Sequence, residues 1–157
     1  MKIASSLSLL VGLLCLSVNA FADTEQVNST AYQVVVREPE IVELPGGRKI
    51  SANGAWHATV INDQGETLSQ WCTGEQWLGA DGLPVAGAGY CTIFDDDGNV
   101  LWVSFVNGGA GQPGTWTVMG GTGEYEGATG GGTNEMVSQR SDGYAWTSKS
   151  SGTIVTP

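Results

Sequence analysis

The chain has 157 residues, 24 of them glycine, and a formal net charge of −10. That acidic excess argues against nucleic acid or an anionic membrane as a partner, because either is repelled over a Debye length. Beyond the first twenty-two residues the only cysteines and histidine are Cys72, Cys91 and His57, with no clustering of ligand types, which argues against a zinc site and a histidine-dependent catalytic triad, so neither metal nor cofactor is expected.

Lys2 gives the first residues a positive charge, and an apolar run follows from Leu9 to Val18. Ala20-Phe21-Ala22 then supplies the small-x-small pattern of a signal-peptidase site. The run falls well short of the roughly 20 apolar residues that span a bilayer. Residues 1–22 therefore read as a signal peptide, cleavage near Ala22 sends the protein to the periplasm or outside the cell, and no membrane insertion is expected. Residues 23–30 read as a loose tail, and residues 31–157 as a single domain, a normal size for one hydrophobic core.

Within that domain β-branched and aromatic residues alternate with polar ones in short runs, and no stretch holds a helical apolar period for three turns. The alternation predicts strands at Ala31–Arg37, Glu40–Leu44, Ala55–Ile61, Thr67–Trp77, Leu83–Phe94, Val100–Val106, Thr115–Met119, Thr133–Gln139 and Tyr144–Ile154. Glycine-bearing turns separate them at Pro45-Gly46-Gly47, Asn62 to Gly65, Asp81-Gly82, Asp97-Gly98 and Asp142-Gly143. Evenly spaced strands without helices define an all-β fold, a small closed antiparallel barrel of about eight strands, since closure removes exposed edges.

Cys72 and Cys91 remain after signal cleavage, and in an oxidising compartment such a pair forms a disulfide. A two-residue turn at Asp81-Gly82 sets them directly opposite each other, so the turn and the cysteines agree. Applying a four-residue turn at Asn62–Gly65 and a two-residue turn at Asp97-Gly98 chains three registers together. One face then collects Trp56, Ala58, Val60, Trp71, Thr73, Glu75, Trp77, Tyr90, Phe94, Leu101, Val103 and Phe105. The other collects His57, Gln70, Cys72, Cys91, Ile93 and Trp102. The first is richer in aromatic residues and is expected to be the lumen.

That register nominates a ligand pocket of Trp56, Trp71, Trp77, Tyr90 and Phe105 for a small apolar or aromatic molecule. Glu75 is the catalytic candidate, because a carboxylate desolvated among aromatic rings becomes a usable acid or base near neutrality. The competing reading puts Glu75 at the barrel rim, in water. Trp116 and Trp146 are left unassigned. Three other features read as structure. Asp95-Asp96-Asp97-Gly98-Asn99 lacks the twelfth-position glutamate and the helices of a calcium loop. Gly108 to Gly114 has neither the lysine nor the helix of a phosphate loop, and His57 faces outward.

The most distinctive string is Gly120-Gly121-Thr122-Gly123-Glu124-Tyr125-Glu126-Gly127-Ala128-Thr129-Gly130. Its glycines allow a tight reversal after one strand, and Tyr125 can plug the end of the barrel. The string resembles a motif shared by allene oxide cyclases and dirigent proteins, and looks most like bacterial members of the cyclase barrel-like group. The resemblance implies an eight-stranded barrel with an apolar lumen open at one end, often packed as a homo-oligomer. In the cyclases the lumen holds an unsaturated fatty-acid epoxide, and a glutamate with ordered water steers ring closure. Dirigent proteins bind phenoxy radicals and bias their coupling without generating them. Two functions follow as expectations: lumen binding with cyclase- or isomerase-like chemistry, or a non-catalytic dirigent-like scaffold or structural module with a filled lumen.

Overall fold

A computed structural model describes residues 22–81, 84–109 and 111–157. The expected signal peptide falls almost wholly on residues 1–21, outside the described residues. Nine strands run in chain order: β1 Asp23–Arg37, β2 Glu40–Glu43, β3 Lys49–Asn62, β4 Thr67–Leu78, β5 Pro84–Phe94, β6 Val100–Asn107, β7 Gly114–Gly121, β8 Thr129–Gln139 and β9 Ala145–Thr156. Each pairs antiparallel with its chain neighbour from β2 to β9, and β1 bridges β9 and β3. Eight strands thus close a barrel, and β2 lies outside it as an extra strand on the first part of β3. A single 3-10 turn, Gly123–Tyr125, interrupts this all-β architecture.

The expected loose tail is instead the first half of β1. Asp23 to Asn28 pair with Thr156 to Ser151, the last residues of β9. Closure needs them, because β9 would otherwise present unpaired backbone groups along one edge.

Two turns differ from expectation by one residue, and that difference decides which side chains face inward. In the β3–β4 connection, Asn62 and Glu66 close the loop through an Asn62 N–H to Glu66 carbonyl bond of 3.1 Å. The loop between them is Asp63-Gln64-Gly65, with Gly65 at φ 83°. Asp95 and Asn99 close the β5–β6 loop in the same way, with Gly98 at φ 85°. Both are three-residue loops whose last residue is left-handed, a position that glycine takes without steric cost. The pairings become Trp56 with Cys72 and Cys91 with Val103, while Cys72 opposite Cys91 stands as expected. Since side chains alternate faces, a one-residue slip turns a whole strand over.

The disulfide therefore faces inward with Trp56, Ala58, Val60, Leu101, Val103 and Phe105. Its sulfurs are bonded, and the two Cα atoms lie 4.1 Å apart, close to a directly opposed, non-hydrogen-bonded pair. Buried Cys72, Cys91, Leu101, Val103, Phe105, Trp116, Val118, Ala128 and Ile154 form one core cluster. Tyr125 packs against it from the 3-10 turn that joins β7 to β8, as the glycine-rich string implied. Burial, and then a hydrogen bond with Glu124, push the Tyr125 hydroxyl above its ordinary range.

The two barrel ends differ in charge. Asp23, Glu25, Asp63, Glu66, Asp95, Asp96, Asp97, Glu124 and Glu126 gather at the end closed by Tyr125, on strand ends and turns that carry no lysine or arginine. Arg37, Arg48, Lys49 and Arg140 all fall at the opposite, open end, where they are mixed with Glu38, Glu40, Glu43, Glu75, Asp81 and Asp142.

Candidate functional site

The lumen opens at that second end into a cavity of about 850 Å³, within the 300–1,000 Å³ range common for small-molecule sites. Its apolar side is supplied by Trp56, Ile93, Leu101, Val103, Phe105 and Trp116 from β3, β5, β6 and β7. Neutral hydroxyl and amide groups come mainly from β1, β8 and β9: Ser29, Gln33, Asn134, Ser148 and Ser150. The inward positions of β9 read Trp146, Ser148, Ser150, Gly152 and Ile154, so its polar groups sit between apolar residues at the two ends.

Aromatic rings on the apolar side lie over glycine. Gly74 and Gly89 are paired across β4 and β5, and Phe105 sits beside them on β6. A Cβ at Gly89 would meet the Phe105 ring at 2.5 Å, and one at Gly74 would meet Phe105 at 3.0 Å and Trp56 at 3.2 Å. Trp56 packs edge-on to Phe105 at 5.6 Å between centroids and lies 5.7 Å from Trp146. Its indole nitrogen is buried with no hydrogen-bond partner among the described residues. On the polar side, Gln33 Nε2 donates to Ser148 Oγ at 2.7 Å. Gln70 Nε2 donates to the disulfide sulfur of Cys72 at 3.1 Å.

Charges are confined to the mouth, where Arg37, Glu38, Glu75 and Asp142 border the cavity. Tyr144 Oη donates to Glu38 Oε1 at 2.5 Å and so links the β1–β2 connection to the β8–β9 turn. That bond raises the Tyr144 hydroxyl above its ordinary value. Asp142 accepts from the Tyr144 backbone N–H at 3.0 Å and from Arg140, and both hold its carboxyl below the usual range. Arg37 Nε donates to the Asn53 carbonyl at 2.7 Å. Asn53 lies at the β3 irregularity, where the strand leaves β2 for β1, and has φ 58°. Left-handed backbone is uncommon outside glycine, and asparagine is among the few residues that take it.

Of the nominated pocket residues, Trp56 and Phe105 face the lumen; Phe105 is only 7 % exposed. Trp71, Trp77 and Tyr90 stand on the outer wall, 50 %, 41 % and 61 % exposed. Glu75 is exposed at the rim, on the same outward alternation of β4. The two one-residue changes in turn length, one shorter and one longer, account for all four: β4 and β5 are turned over relative to β3 and β6. The burial on which an acid–base role for Glu75 rested is absent. His57 faces outward as expected, edge-on to Trp71 at 5.4 Å. Trp116, Trp146 and Gln33 are lumen residues that the sequence reading left out. Their signal is the i, i+2 alternation of β1, β7 and β9, three strands to which the chained registers did not extend.

No protein-family model and no curated protein matches the sequence. The fold does have counterparts among solved structures, dirigent proteins among them. One pterocarpan synthase dirigent protein superposes with a TM-score of 0.57 at 12 % identity, over 86 % of this chain and 91 % of its own. A second gives a TM-score of 0.56 at 12 % identity, over 85 % and 96 %. The chain thus has the dirigent-type barrel fold. That fold and a disulfide are together consistent with an extracellular protein.

Proposed function

We propose that this protein is an exported, dirigent-like scaffold that holds a small apolar or aromatic molecule in its lumen and steers its reaction by shape. The observation that carries this reading is the cavity of about 850 Å³, lined by aromatic and aliphatic groups with neutral hydroxyls and amides placed among them. Apolar burial supplies affinity at such a site, and a few placed polar groups orient the occupant. Among the described residues, the charged side chains that line the lumen, Arg37, Glu38, Glu75 and Asp142, stand at its mouth and not along its depth. Cyclase-like catalysis, the other expectation, loses its nominated carboxylate once Glu75 stands in water. The resemblance of the Gly120–Gly130 string to allene oxide cyclases then reflects a shared barrel-end plug.

The test supplies a one-electron oxidant and a simple phenol with and without the protein, and reads the enantiomeric excess of the coupled product. An excess is expected with the wild-type chain and is lost in Met136→Trp, which fills the lumen from an exposed lining position. A racemic product from wild type at saturating protein, with binding shown separately, contradicts the steering role.

A further inference from the structure

We infer that Arg37 is a specificity residue and that the lumen prefers molecules bearing an acidic group at one end of an apolar body. The inference rests on the lumen-binding reading above and deepens it. Arg37 is the one lysine or arginine among the described residues that line the cavity. It stands where the apolar interior gives way to the mouth, so a head group held there leaves the body of a ligand among Trp56, Trp146 and Phe105.

Three carboxylates, Glu38, Glu75 and Asp142, border the mouth with Arg37, and none of them is ion-paired with it. Glu38 is engaged by the Tyr144 hydroxyl, and Asp142 by Arg140 and the Tyr144 backbone. Arg37 takes part in neither of the ion pairs among the described residues, Lys49–Glu43 and Arg140–Asp142. Its Nε is fixed on the Asn53 carbonyl, which leaves the terminal guanidinium nitrogens as donors at the cavity. A guanidinium offers a planar fork that matches a carboxylate in a two-point bond, stronger than a neutral contact.

The backbone is shaped for this placement. Asn53 adopts its left-handed conformation at the point where β3 exchanges β2 for β1, and its carbonyl is the Arg37 anchor. Backbone held in a sparsely populated region tends to mark a functional position.

Isothermal titration with 2-naphthoate and its neutral isostere 2-naphthamide tests the inference on the purified protein. Wild type is expected to bind naphthoate at least about tenfold more tightly than naphthamide, the margin of one charge-assisted pair. Arg37→Gln equalises the two, and Arg37→Lys retains part of the preference. Circular dichroism identical to wild type certifies each variant as folded. Equal binding of the two molecules by wild type, or an undiminished preference in Arg37→Gln, overturns the inference and leaves lumen binding standing. Binding of neither molecule overturns both.

Discussion

Phe105 and the glycines beneath it show how single residues set the lumen's shape. A methyl group at Gly89 has no free space, because it would meet the Thr73 carbonyl as well as the Phe105 ring. Backbone cannot give way there, so Gly89→Ala should destabilise the fold by about 1–3 kcal/mol, the usual cost of overpacking. Thermal melting measures this, and a neutral result would mean that Phe105 does not lie on the glycine floor. Glu25 gives a residue-scale prediction with a pH signature. Burial, then repulsion from Glu66, Glu124 and Asp23, raise its carboxyl above the ordinary value. A carboxyl raised by folding favours the folded state when protonated, so its penalty operates above the raised range and fades as pH falls through it. Glu25→Gln should therefore raise the melting temperature at pH 7, and its advantage should shrink as pH drops toward the acidic range. An advantage that persists unchanged into acid contradicts this origin.

At the scale of elements, the three-residue loops at 63–65 and 96–98 carry more structural information than any strand. Deleting Asp97 shortens one loop by a residue and asks β6 to turn its faces over against β5. That deletion should unfold the chain under conditions where Asp97→Ala, which keeps the loop length, melts within a few degrees of wild type. Comparable melting of the two variants would mean that loop length does not set the register. The same loops explain what the sequence made legible. Strand positions, the Cys72–Cys91 pair, the Tyr125 plug and the barrel itself follow from alternation, turn residues and compartment. The inward face of β4 and β5 does not, because Asn62 to Glu66 and Asp95 to Asn99 fit two-, three- and four-residue turns almost equally well in composition. Only closure against β1 and β9 selects among them, and that pairing is remote in sequence. Arg37 and Tyr144 were hidden for the same reason: their meeting at the mouth depends on β1 lying beside both β3 and β9. The disulfide belongs to this scale too. Replacing Cys72 and Cys91 together by alanine frees a loop of sequence separation 19, which should cost about 3 kcal/mol in the chain-entropy model. Denaturant unfolding reads that loss, and an unchanged midpoint would show the bridge to be dispensable for the barrel.

For the molecule as a whole, the account depends on which tryptophans surround the lumen. Trp56, Trp116 and Trp146 line the cavity, whereas Trp71, Trp77 and Trp102 stand on the outer wall. The six indole N–H groups give six separate signals in a proton–nitrogen correlation spectrum, so a single titration reports on both sides of the barrel. Adding 2-naphthamide to the nitrogen-labelled protein should shift or broaden the signals of Trp56, Trp116 and Trp146 in a saturable way and leave those of Trp71, Trp77 and Trp102 in place. Saturable shifts confined to Trp71, Trp77 or Trp102, or no shift at any of the six up to millimolar ligand, would contradict the lumen as the binding site.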